Sequence, residues 1–200
     1  MNRTAPLGRS TVSSRLGVSS PRRRRQVLGA LAVLLAAQLR MFLTLERDMR
    51  RTGGPGIIPF ELAGTTDRAQ AILDTWGAPG RAAARSSLLL DYIFPPTYAS
   101  LQAFACDAAA DGLARRHRRR LAALGRRIAW GQFAAAAFDY AENTALLLLL
   151  AGRQRRTPRV ARTAALAKFA VIGFGQVYFA LAAIDAGLAR WRAARSSDAR

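Results

Sequence analysis

The chain has little of what conventional metal and redox chemistry requires. Its 200 residues hold one cysteine, Cys106, and one histidine, His117. A disulfide scaffold, a zinc finger and c-type haem attachment are thereby excluded. His117 sits inside the run Arg115-Arg116-His117-Arg118-Arg119-Arg120, which reads as a solvated basic loop rather than a ligand site. Lysine is nearly missing as well, since Lys168 alone among the 31 basic residues is not arginine. Gly-x-Gly-x-x-Gly, the P-loop, Gly-x-Ser-x-Gly and His-Glu-x-x-His are all absent. No cofactor and no metal are therefore expected, and the familiar soluble enzyme classes have no foothold.

What is present is charge of one sign and apolar residues, in separate places. The formal net charge is +19 and 51% of residues are hydrophobic. As averages these values suggest a basic nucleic-acid binder. Their segregation along the chain argues against nucleic acid and for a membrane. Residues 1–25 read as a disordered basic tail ending in Arg22-Arg23-Arg24-Arg25. Four apolar stretches of about 20 residues or more follow, at about 26–45, 87–108, 125–150 and 164–187, each long enough to cross a bilayer core. The first reads as a signal anchor, because no cleavage site followed by a soluble domain succeeds it. The expected fold class is all-α: a polytopic membrane protein built as a four-transmembrane-helix bundle. Residues 26–187 form its membrane domain and 188–200 a basic tail.

The 46–86 segment reads as an outer loop carrying a short interfacial helix. Thr65-Thr66-Asp67 offers N-cap residues, Gly77 a stop, and Trp76 a headgroup-level anchor. Orientation follows from arginines. Eighteen lie in the two tails and the 111–127 loop, and eleven in the 46–86 and 152–163 loops. The excess places both termini in the cytoplasm. The basic 152–163 loop runs against this pattern. The expected partners are the bilayer and its anionic headgroups, with a homo-oligomer or a partner membrane subunit left open.

The informative charges are those inside the spans, where ionisable residues are costly and tend to face the bundle interior. Counted from the outer helix ends, Arg40, Asp91, Glu142 and Lys168 all fall roughly 6–12 Å deep at about 1.5 Å per residue. Asp139 lies one turn deeper. Asp139, Glu142 and Asn143 are spaced i, i+3, i+4 and share a helix face. Asp91, Tyr98 and Gln102 form a stripe on the second span. Pro95 and Pro96 withhold the amides that would bond the carbonyls of Asp91 and Tyr92.

The segments Glu61-Leu62-Ala63-Gly64-Thr65, Trp76-Gly77, Leu90-Asp91-Tyr92-Ile93-Phe94 with Tyr98, and Asp139-x-x-Glu142-Asn143 resemble a group of small bacterial four-helix membrane proteins with no assigned activity. The resemblance implies an inner-membrane helical bundle and carries no substrate or catalytic residue. It draws Glu61 and Trp76 into an outer lid above the charged layer. The leading expectation is a non-enzymatic protein whose polar layer of Glu61, Asp91, Tyr98, Asp139, Glu142, Asn143 and Lys168 binds a small polar ligand, a cation or a proton. One alternative is an assembly subunit whose buried charges are a salt-bridge network. The other is a membrane enzyme using Asp139 and Glu142 as paired acid and base.

Overall fold

A computed structural model of the chain describes residues 12–15, 18, 20–153 and 155–198. Among the described residues the fold is entirely helical: α1 (Val12–Arg15), α2 (Pro21–Arg51), α3 (Ile57–Glu61), α4 (Thr66–Leu90), α5 (Phe94–Arg115), α6 (Arg119–Leu150) and α7 (Thr157–Asp198). Three helices, α2, α6 and α7 over Thr157–Ser196, are long and apolar enough to cross a membrane. The less apolar α5 carries Pro95, Pro96, Gln102, Asp107 and Asp111. It packs along α6 and α7 and also against α2, while α6 packs along α7.

Local chemistry explains the helix ends. Ser20 caps α2 by accepting from the Arg23 amide at 3.2 Å, and Pro21 takes the first helical position, where a missing N–H costs nothing. The helix therefore begins before the apolar run that starts near residue 26. Thr65 caps α4 by accepting from the Arg68 amide. Gly77, expected as a stop, interrupts α4 but does not end it. Its φ of 55° is closed to most side chains, and the helix resumes through Pro79 to Leu90. Arg81 reaches back over this break and donates to the Leu73 carbonyl at 2.8 Å.

Several sequence expectations are corrected. The second apolar stretch is not one helix over 87–108, because α4 ends at Leu90 and α5 starts at Phe94. Pro95 and Pro96 lie in the first turn of α5, so they start a helix instead of stripping one of donors. The Asp91 carbonyl accepts from the Phe94 amide at 3.4 Å. Trp76 is fully buried rather than placed at a headgroup surface. Its indole donates to the Pro55 carbonyl at 2.7 Å and its ring lies 5.0 Å from that of Phe60. The basic tail is ordered in part: the Ser13 amide donates to buried Asp107 at 2.8 Å, and Arg24 pairs with Asp111 at 2.7 Å. The remainder of that tail, with Arg3 and Arg9, lies outside the described residues, as does Arg200. On α7, Asp185 pairs with Arg116 at 2.7 Å. Helix α7 extends across most of the expected C-terminal tail and into the 152–163 loop, where the Arg162 side chain lies against the Gly64 turn.

The buried face of α6 shows how the interior is organised. Ala122, Gly125, Ala129, Gln132, Asp139, Asn143 and Leu146 are all buried at helical spacing. Small residues at one end admit close neighbours, and a Cβ at Gly125 would overlap the Tyr178 hydroxyl. Polar residues occupy the middle of this face and leucines the other end.

Candidate functional site

The charged layer lies where α6, α7, α3 and the α4–α5 junction meet. Asp139 and Glu142 reach it from the inner face of α6, one helical turn apart, and both are essentially inaccessible at 1% and 0% exposure. Lys168 arrives from α7 and is also buried. Its Nζ donates to Asp139 Oδ1 at 3.0 Å and lies 2.6 Å from Glu142 Oε2. The second contact is an ion pair whose angle leaves both Glu142 oxygens without a hydrogen bond. Asn143 Nδ2 donates to Asp91 Oδ2 at 2.9 Å, which fixes the junction carboxylate to α6. The Tyr98 hydroxyl faces Asp139 without completing a hydrogen bond.

Glu61 enters from the end of α3. The five-residue α3 is held in place by its neighbours: Glu46 on α2 accepts from the Ile57 amide at 2.9 Å, and Trp76 supports Phe60 from below. A Cβ at Gly56 would overlap the Glu46 carboxylate, so a side chain there would push that carboxylate off the Ile57 amide. The Glu61 side chain is 7% exposed overall, and its Oε2 has no hydrogen-bond partner. Burial pushes its carboxyl above the usual carboxylate range, opposed by the charge of Lys168. Glu61 stands close enough to Glu142 to exchange a hydrogen bond once either carries a proton.

All seven side chains expected in the polar layer therefore stand in one neighbourhood. Arg40, expected in the same layer, does not join them: it is exposed, and Gln38 is the buried polar residue of that turn. Gln38 Nε2 donates to the Ile93 carbonyl at 3.1 Å and ties α2 to the α4–α5 junction. Sequence reasoning missed Gln38, although a lone amide inside the Val27–Leu39 run was the available signal. It also missed Glu46, which holds the start of α3.

A cavity of about 480 Å³ opens over this layer, within the usual range for small-molecule sites. Glu61, Asp91, Tyr98, Asp139 and Lys168 form its polar end, while Glu142 and Asn143 stand behind that end. Apart from Glu46 and Ser87, the rest of its wall is apolar and comes mainly from α2, α3 and α7. Four carboxyl groups thus share one ammonium. Lys168 engages Asp139 and Glu142, and Arg50 engages Glu46, which leaves Glu61 and Asp91 as the lining acids without an ion-pair partner among the described residues. Chemically, the arrangement suits a cation or a proton much better than an anion. Among the described residues no cluster of His, Cys, Asp and Glu has the arrangement of a metal site. The chain matches no known family, no curated protein and no solved structure.

Proposed function

We propose that this chain is an integral inner-membrane protein of bacterial type that binds a small organic cation in the outer half of a bundle formed by α2, α5, α6 and α7. Both termini face the cytoplasm, and α3 with the Trp76 segment forms a lid on the outer side. Membrane placement is supported by the apolar side chains that α2 and α7 leave exposed, among them Val33, Leu34, Met41, Phe174, Val177 and Leu181. Such a surface is stable in lipid and a liability in water. The observation that carries the functional reading is the excess of buried carboxylates over ammonium in one layer, with Glu61 and Asp91 directed at a cavity. A bound ammonium between these two acids would relieve the imbalance that Lys168 leaves.

The test is thermal unfolding of the detergent-purified protein with methylammonium chloride, against sodium chloride at equal ionic strength. A ligand of the folded state raises the midpoint with concentration. The expected result is stabilisation of the wild type that Glu61→Gln and Asp91→Asn each abolish. Equal stabilisation by both salts, or none by either, contradicts the proposal. For topology, a reporter at the C-terminus that is active only in the periplasm contradicts the stated orientation.

A further inference from the structure

The cavity has a second property that a site for a small cation alone does not need. Its polar end is acidic, but most of its wall is hydrocarbon: Leu39, Phe42 and Leu43 from α2, Ile57 and Ile58 from α3, and Phe169 and Ile172 from α7. Helices α2 and α7 are not a closely packed pair, so this wall is split along its length. The residues at the split are not sealed inside. Leu39, Leu43 and Phe169 are 45%, 54% and 40% exposed. They belong to the two helices that carry the exposed apolar surface, and lie within stretches apolar enough to cross a membrane. The cavity therefore opens sideways toward the position of the acyl chains.

The acidic end is equally specific. Glu61 Oε2 and Tyr98 Oη are buried beyond nine-tenths, line the cavity and have no hydrogen-bond partner. Lys168, the basic residue that lines the cavity among the described residues, is already engaged by two carboxylates and is not free to receive an anionic headgroup. An acceptor-rich end beside a hydrocarbon wall is complementary to one molecule with an ammonium head and an aliphatic tail.

From this geometry we propose that the ligand is a membrane amphiphile with a net-cationic amine headgroup. It enters laterally between α2 and α7, with its head under the α3 lid against Glu61 and Asp91. This inference rests on the cation-site reading above and adds the tail and the route of entry. Phe42 and Ile172 flank the chain close to the head, and Leu43 and Phe169 form the mouth.

The experiment uses the full chain in nanodiscs of phosphatidylcholine and a hexadecylamine carrying a diazirine in its tail. Photolabelled residues are mapped by mass spectrometry. Labelling is expected to concentrate on α2 and α7 around Leu39–Leu43 and Phe169–Ile172. Dodecylamine should compete at roughly tenfold or more lower concentration than methylammonium, because only its tail adds apolar contact, and dodecyl sulfate should not compete. Asp91→Asn and Glu61→Gln should each lose the label while the proteins still purify as folded species. If methylammonium competes as well as dodecylamine, the cation site stands and the amphiphile proposal falls. If neither amine competes, both fall. Labelling spread evenly over the exposed surface, with Val33 and Phe179 marked as strongly as Phe42, also overturns the proposal.

Discussion

Replacing Lys168 with methionine tests whether the charged layer is truly closed from water. The substitution keeps an unbranched side chain of similar reach and removes the ammonium. In the native protein that ammonium lies 3.0 Å from Asp139 and 2.6 Å from Glu142. At an effective dielectric of about 20, each contact represents about 6 kcal/mol of attraction. Desolvating the ions opposes this with several kcal/mol each, so the net value is far below the sum. Removing one partner of such a group strands the others, with a usual cost of about 3–5 kcal/mol. For a chain of this size that is a fall in the unfolding midpoint of about 6–20 °C. The assay is thermal unfolding in detergent, followed by circular dichroism. Combining Lys168→Met with Asp139→Asn and Glu142→Gln should recover most of the loss, since no charge is then left unpaired. Arg50→Ala is the control: Arg50 pairs with Glu46 at 2.8 Å, but its side chain is 63% exposed. That pair should contribute under about 0.5 kcal/mol. If Lys168→Met unfolds within about 1 kcal/mol of the wild type, the lysine reaches solvent and the layer is not buried as described.

Two further outcomes follow from particular residues. Gly77→Ala forces a side chain into a backbone at φ 55° and should destabilise the lid by about 1–3 kcal/mol, read as a lower unfolding midpoint. The raised carboxyl of Glu61 sets the pH dependence. A buried acid that binds its proton more tightly in the folded state contributes stability at low pH and loses it as pH rises above the ordinary value of 4.5. Without ligand, the midpoint of the wild type should fall as pH rises through this range, and that slope should flatten in Glu61→Gln.

Part of this fold is legible in the sequence for simple reasons. The long apolar runs in α2, α6 and α7 identify helices that can cross a membrane, because bilayer thickness fixes a minimum length. Asp139, Glu142 and Asn143 repeat at helical spacing, so spacing alone reveals their common face. Counting from helix ends gives depth but not direction. Arg40 and Gln38 are two residues apart and nearly equal in depth, yet they differ by about 200° around the helix, and only Gln38 faces inward. Pro95 and Pro96 mislead for a related reason: the same residues break a helix in its interior and start one at its first turn. Trp76 is an interface residue by type and a core residue by position, because Gly54 and Gly80 leave room for its indole. The cavity is the least legible feature. It joins Leu39, Phe42, Phe169 and Ile172 across more than half the chain, and nothing in their spacing announces the gap between them.

The central claim is that a carboxyl group held in an apolar cavity receives an ammonium ion, and Glu61 reports on it most directly. A hydrophobic carbodiimide modifies protonated carboxyl groups in apolar surroundings and leaves ionised, water-exposed ones largely untouched. Peptide mapping of the treated protein in native membranes is expected to find Glu61 modified, and modified more slowly when methylammonium is present. An unmodified Glu61, or a rate of modification indifferent to methylammonium, would contradict the account.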